Sequence, residues 1–348
     1  MEITREIFDQ QRRPRFGTAN PERMSFAFWE WMIRGINTSH AQGQGGLKEI
    51  GLQMRNGMLK SANGPYRARD FFHVPPDREN GPIWTFDRMG ATRLRLPDER
   101  IICIGGEHED FYDPDFCIYN DVIVLKPNDE IEIYGYPKEV FPPTDFHTAT
   151  LIGDRIVVIG SIGYKDERHI GRTPVYEVDL ATYQILKIET SGDMPGWISE
   201  HKASHSSEGT ITIRRGQIFE HRQGKQRFRQ NYEDYALNTK TWTWTRLTNR
   251  NWREFSIRQE KGAFVLEHKP KPEALFPKDI DHEIMPHKKE ESARIVIGGV
   301  PVSLTIDVAC IRVVIEGDIP DARSSRLAEI IRANTEAAIH RHCILEWV

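Results

Sequence analysis

The apolar residues of this chain fall in short runs of strand length, separated by polar turns. One run can be followed closely. TDFHTATLIGDRIVVIG, from Thr144 to Gly160, is a polar stub, a turn at Gly153-Asp154, then a strand that ends on glycine. The plan recurs on both sides. RMGATRLRLPDERIICIGGE (Arg88 to Glu107) precedes it and HKASHSSEGTITIRRG (His201 to Gly216) follows it. Gly105 and Gly160 are 55 residues apart, and Ile159 and Ile213 are 54 apart.

A second element follows each of these. NDVIVLKPNDEIEIYGYP (Asn120 to Pro137), PVYEVDLATYQILKIETSGDMP (Pro174 to Pro195) and YEDYALNTKTWTWTRL (Tyr232 to Leu247) each read as strand, polar turn, strand. Tyr176, Asp179 and Tyr183 align with Tyr235, Asn238 and Trp242. Asp or Asn suits the turn because its side chain bonds back to its own backbone. The aromatic after the turn is placed to pack on a neighbouring unit. A fourth, compressed copy is expected in RIVIGGVPVSLTIDVACIRVVIEGDIP, from Arg294 to Pro320.

A period of about 50 residues with four short strands and a glycine pair is the pattern of propeller blades. On the pairs Gly105-Gly106, Gly160-Ser161 and Gly298-Gly299, and the aromatics Tyr183 and Trp242, the stretch from about Trp84 to Pro320 resembles a divergent kelch-repeat array. Arg214-Arg215 stands in the third unit where that family has Gly-Gly. The resemblance implies a mainly β fold, a small kelch-like β-propeller of four to five blades with helical segments at both ends. An antiparallel β-sandwich is the competing arrangement of the same strands. The glycines then close inner strands, whose ends turn sharply without a Cβ. The expected organisation is a helical and loop extension over residues 1–80, the array over 81–320, and a C-terminal helix and closing strand over 321–348.

The ends do not repeat. Asn20-Pro21-Glu22 carries the signals of a helix start, and Phe26, Trp29 and Ile33 form an aromatic and apolar stripe behind it, more often docked core than a ligand box. DARSSRLAEIIRANTEAAIHRHC reads as a helix, with Ser324 or Ser325 as cap and Leu327, Ile330, Ile331 and Ala338 on one face. The last strand, CILEWV, is expected beside an N-terminal strand to close the ring. Glu267 to Ser292, rich in proline and charge, reads as a long insertion, either a mobile surface loop or a lid or partner-binding loop.

Composition narrows the function. With 39% hydrophobic and 28% charged residues the chain can form a core. A formal charge of −4 gives no general affinity for nucleic acid or an acidic membrane. No run of eighteen apolar residues exists, and the first residues lack the apolar segment of a secretory signal. Cys103, Cys117, Cys310 and Cys343 form no CxxC pair and read as thiols of a reducing compartment, so the cytoplasm is the expected location.

GGEHEDFYDPDF (Gly105 to Phe116) is the densest polar run. Its oxygen-rich set, with Glu107, His108, Asp110 and Asp113, fits a hard cation, an acidic patch for a basic partner, or a solvated loop. His147 and His201 hold equivalent positions. With Glu107 they are the candidate catalytic groups, and the bland alternative is a histidine bonded between blades. DHEIMPH is not a zinc motif, since Pro286 breaks the helix that would bring His282 and His287 together. RQGKQRFR (Arg222 to Arg229) is a basic run placed where a hairpin or inter-strand loop is expected. No cofactor is called for. The leading expectation is a protein-binding module with another protein as partner, and one version is a protein that neutralises a toxin or enzyme. Trp29, Trp31, Asp110, Asp113, Arg227, Arg229 and His282 are the candidate contacts. The alternative is a propeller enzyme acting on a sugar or small polar substrate at the channel mouth.

Overall fold

The computed structural model describes residues 3–38, 54–55, 58–59, 84–86, 88–108, 116–222, 224–260, 270–277, 283–285, 291–307 and 310–348. The protein is mainly β, built from several antiparallel sheets. Two compact units divide at Thr248 and Asn249. That boundary falls inside the stretch 81–320 expected to be one array.

Unit one, Met1–Thr248, contains three sheets of the same plan. The first joins β4 (Thr92–Arg95), β5 (Ile101–Ile104), β8 (Val122–Leu125) and β9 (Ile131–Gly135), and β1 (Glu22–Met24) pairs with the edge of β9. The second is the meander β10 (Thr148–Ile152), β11 (Arg155–Ile159), β12 (Val175–Asp179) and β13 (Ile185–Lys187). The third is β16 (Lys202–Ser206), β17 (Thr210–Arg214), β20 (Tyr235–Asn238) and β21 (Thr243–Arg246), with β14 (Ser191–Gly192) added in parallel. The first strands β4, β10 and β16 lie side by side, with β10 in the middle.

The strand sequences say how the sheets stack. IICI in β5 and VIVL in β8 are apolar at every position and buried at every position, because both faces of that sheet are covered. One face packs on helices α1 (Arg5–Gln11) and α2 (Ala27–Thr38) through Ile101, Cys103, Ile123 and Leu125 against Phe8, Phe28, Trp29 and Met32. The other sets Ile102, Ile104, Val122 and Val124 against Ile156, Val158 and Val178 of the second sheet. Val157, Ile159 and Val175 then meet Ile211, Ile213, Leu237 and Trp244 of the third. In β17 the pattern changes to TITIR. Ile211 and Ile213 are buried, while Thr210, Thr212 and Arg214 point to the far face. That polar face presents nothing apolar for a fourth sheet to cover. Three four-stranded units therefore stand among the described residues, where four to five were expected.

The expected fourth copy has another setting. Unit two, Asn249–Val348, is a six-stranded sheet in the order β23 (Glu283–Met285), β24 (Ser292–Ile297), β25 (Val300–Ile306), β26 (Ile311–Glu316), β22 (Trp252–Gln259), β27 (Cys343–Trp347). Its strands are longer and alternate, as in β26, whose buried positions Ile311, Val313 and Ile315 share one face. Helix α3 (Asp321–Ile339) supplies Leu327, Ala328 and Ile331 to the same core. Gly298-Gly299 is the hairpin turn between β24 and β25 rather than the end of an inner strand. The final strand β27 pairs with β22, not with an N-terminal strand. Ala338 is exposed, and the helix starts at Asp321, before either serine. Within the expected insertion, Pro272–Leu275 is a short 3-10 turn and β23 joins the sheet.

One helix start also differs. Asn20 donates from its side-chain nitrogen to the Ile185 carbonyl and accepts from the Ile185 amide, at 2.8 and 2.9 Å, so it caps no helix. Glu22–Met24 is a strand, and α2 begins at Ala27. A short hairpin, β2 (Met54–Arg55) and β3 (Met58–Leu59), completes unit one together with the strands described below. Among the described residues no helix is long and apolar enough to cross a membrane, which says nothing of a β-barrel.

Candidate functional site: one end of the three-sheet unit

Contacts between successive sheets repeat with the sequence period. The Phe146 amide donates to the Gly90 carbonyl and the Glu200 amide to the Phe146 carbonyl, both at 2.8 Å. Gly106 donates to Thr144 at 2.8 Å, and Ser161 to Ile198 at 2.9 Å. His147 Nε2 shares a hydrogen bond with Thr92 Oγ1 at 2.7 Å, and His201 Nε2 with Thr148 Oγ1 at 2.8 Å. Farther out, Arg100 lies over the Tyr183 ring at 5.9 Å and Arg155 over the Trp242 ring at 5.5 Å. Tyr183 and Trp242 reach these places from turns set by Asp179 and Asn238. Asp179 accepts from the amides of Ala181 and Thr182, and Asn238 from those of Lys240 and Thr241.

Close approach of backbone explains Gly160. A Cβ there would stand 2.2 Å from the Ile198 carbonyl oxygen, and its φ is +77°. In the third sheet the same turn is made one residue later than Arg214-Arg215, by Arg215 at φ +61° and Gly216 at φ +85°.

Because each first strand starts beside the end of its second strand (Thr92 with Ile104, Thr148 with Ile159, Lys202 with Arg214), the repeating bonds mark one common end. The long connections from second to third strand all emerge there, over residues 105–121, 160–174 and 215–234. They touch one another. The first carries β6 (Glu107–His108) paired with β7 (Cys117–Ile118), and the Ile118 amide donates to the Tyr164 hydroxyl of the second at 2.9 Å. The third carries the hairpin β18 (Gln217–Arg222) and β19 (Lys225–Gln230), extended by β15 (Trp197–Ser199). Arg168 of the second connection lies over the rings of Phe219 and Phe228 in that hairpin, at 5.2 and 4.8 Å. The opposite end carries only tight turns such as Gly153-Asp154.

This end also holds a cavity of about 680 Å³, lined by Lys138, Glu139, Asp166, Glu167, His169, Arg172, Tyr176, Lys187, Glu189 and Trp197 among others. Trp197 donates from Nε1 to the Ile162 carbonyl at 3.1 Å, and His169 stands edge-on to it. Burial raises the Tyr176 pKa, with Glu167 and Glu189 adding to the shift.

The expected site residues are distributed as follows. His147 and His201 are 5% exposed and lie in successive seams between sheets, each held by a threonine of the preceding first strand. Their Nδ1 atoms have no hydrogen-bond partner among the described residues. Burial lowers the pKa of His147 to about 3, with His201 adding to the shift, and lowers that of His201 to about 4. Both rings are neutral and enclosed, a poor setting for moving protons to a substrate. Glu107 and His108 are buried in β6, and neither lines the cavity. Asp110 and Asp113 lie outside the described residues, as does His282. Among the described residues no group of three or more His, Cys, Asp or Glu could hold a metal ion. Trp29 is 2% exposed and stacks on Trp84 at 4.9 Å, so it belongs to the core and offers no contact surface. Trp31 is partly buried against the same core. Arg227 and Arg229 do lie on a hairpin and share Glu220 at 3.2 and 2.7 Å.

Arg168, Trp197, Glu167 and the Phe219–Phe228 pair were not singled out by sequence, and Tyr176 was read only as a repeat position aligned with Tyr235. The acidic run after Gly105-Gly106 drew attention to the first connection. In the second unit the same position, GYKDERHIGR, holds Glu167 and Arg168, and Phe219, Phe228 and Trp197 dock on it.

No family model matches the chain, and no curated protein matches it. A solved structure described as "Structure of YjhT" is similar over 67% of this chain and 66% of that one, with a TM-score of 0.30 and 10% identity. Likeness at that level carries no argument for fold or function.

Proposed function

We propose that the three sheets of unit one are blades of a divergent kelch-like propeller segment, and that the protein is a protein-binding module using the end where the long connections meet. The carrying observation is that all three second-to-third connections gather at one end and are packed into a single surface through Tyr164 and Arg168. A rigid stack presenting adjustable loops at one end is a binding architecture. The hairpin supplies charge. Arg227 and Arg229 share the one carboxylate of Glu220, an excess of positive charge that suits an acidic surface on the partner. The enclosed, threonine-bonded histidines favour binding over catalysis at their position.

The test uses the full chain carrying a photo-crosslinking amino acid at His221, in the hairpin, or at Glu208, in a tight turn at the opposite end. The expected result is one protein cross-linked from His221 and not from Glu208, and lost when Arg227→Glu and Arg229→Glu are introduced together. Equal cross-linking from both positions, or insensitivity to the charge reversal, would contradict the reading.

A further inference from the structure

The cavity at this end has a chemistry of its own. Its floor includes Tyr176, only 5% exposed, whose hydroxyl has no hydrogen-bond partner among the described residues. Four carboxylates, Glu139, Asp166, Glu167 and Glu189, line it against three cations. Two of the cations are already engaged, Lys138 with Glu167, and Lys187 with Glu189 at 3.2 Å. The third, Arg172, is exposed. Glu167 is the most withdrawn of the four, its side chain 15% exposed, and its one charged partner among the described residues is the Lys138 ammonium at the cavity's rim. Trp197, with the His169 ring edge-on at 6.1 Å, supplies an aromatic wall.

An incoming anion would meet an excess of carboxylate here. A neutral ligand would leave that excess uncompensated and could not replace Lys138 at Glu167. A planar cation answers both needs. It donates paired N–H bonds to a carboxylate and stacks on aromatic faces, which a lysine ammonium does less well. The Lys138 side chain is 45% exposed, so it can turn to water and yield its place at Glu167. We infer that this cavity receives the guanidinium of an arginine side chain on the partner protein, held by Glu167 and the Tyr176 hydroxyl against Trp197. The inference rests on the protein-binding reading above and names the chemistry of one of its contacts.

The probe is Nα-acetyl-L-arginine methylamide, titrated into the full chain and followed by ligand-observed NMR. Its uncharged isostere, the citrulline methylamide, is the comparison. The arginine probe is expected to bind at least about tenfold more tightly than the citrulline probe, and Glu167→Gln to weaken it by a similar factor. Lys138→Ala changes a half-exposed side chain and frees Glu167, so it is expected to tighten binding several-fold. Equal binding of the two probes, no binding of the arginine probe, or weaker binding by Lys138→Ala would overturn the inference. Partner cross-linking at His221 that persists in a chain blind to the arginine probe removes this contact alone. Arginine binding without any partner cross-link removes the binding-face reading and leaves the cavity's cation preference.

Discussion

The two seam histidines make the protein sensitive to acid in a defined window. Each ring sits between sheets with Nε2 bonded to a threonine and Nδ1 enclosed without a hydrogen-bond partner among the described residues. Protonation would add an N–H with no acceptor. The folded-state pKa values of about 3 and about 4 lie below the ordinary value of 6.5. The unfolded chain therefore takes up protons at higher pH than the folded chain does. The stability from the neutral rings is complete above about pH 6.5 and is lost as pH falls toward the folded values. Each unit of pKa difference is worth about 1.4 kcal/mol, so descending from pH 6.5 to 5 costs about 2 kcal/mol per ring and about 4 for the pair. The loss at pH 5 depends little on the folded pKa values, provided both stay well below 5. The assay is urea unfolding of the full chain at pH 7.5 and pH 5, compared with the His147→Gln, His201→Gln double variant. The wild type should lose about 4 kcal/mol more than the variant over that interval. At pH 7.5 the variant should be less stable by about 1 kcal/mol for each threonine bond lost. An identical pH dependence in the two proteins would refute the placement of neutral, enclosed rings in the seams.

Other consequences follow from single contacts. Arg88, 2% exposed, is paired with Asp121 beneath α2 and lies over the Tyr119 ring at 3.5 Å, so Asp121→Ala strands a buried cation and should cost about 3–5 kcal/mol in urea unfolding. Gly160→Ala forces a Cβ into the Ile198 carbonyl and should lower stability by about 1–3 kcal/mol, whereas Gly153→Ala, where the Cβ meets nothing within 4 Å, should cost less, both read from denaturation midpoints. Asp179→Ala removes three hydrogen bonds that shape one turn and should cost about 1 kcal/mol by the same measurement. Burial raises the Cys103 thiol to about 11, so this cysteine should resist alkylation by iodoacetamide at pH 8 until the chain is unfolded, as mass spectrometry of labelled peptides would show.

The repeat was legible because its physical demands are local. An apolar strand closed by glycine, and an Asx turn followed by an aromatic, leave the same marks each time they occur. The spacing of His147 and His201 announced their equivalence, and the seam bonds give its reason. The end of the series was harder to read. TITIR in β17 carries the alternation of a sheet covered on one face, but the glycine pair at Gly298-Gly299 drew the reading onward into a hairpin of another sheet. A glycine pair fits any tight turn, so its presence could not tell the two apart. Asn20-Pro21 illustrates a different limit. Its residues suit a helix start, and a contact 165 residues away, with Ile185, takes the side chain instead. Trp29 was misplaced for a related reason, since an aromatic stripe on a helix says that something is covered but not by what. The cavity escaped notice because Tyr176, Glu167 and Trp197 come from three separate segments whose meeting depends on how the connections fold over the sheet ends.

The account depends on successive sheets being bonded together at the end where the connections gather, and amide hydrogen exchange reads that directly. Phe146 and Glu200 sit outside strands, yet their amides donate across the seams to Gly90 and Phe146, as those of Gly106 and Ser161 do to Thr144 and Ile198. These four amides should exchange as slowly as those of the central strands β5 and β11. Exchange at the rate of an exposed loop, with the strands themselves protected, would mean that the sheets are not joined in this way.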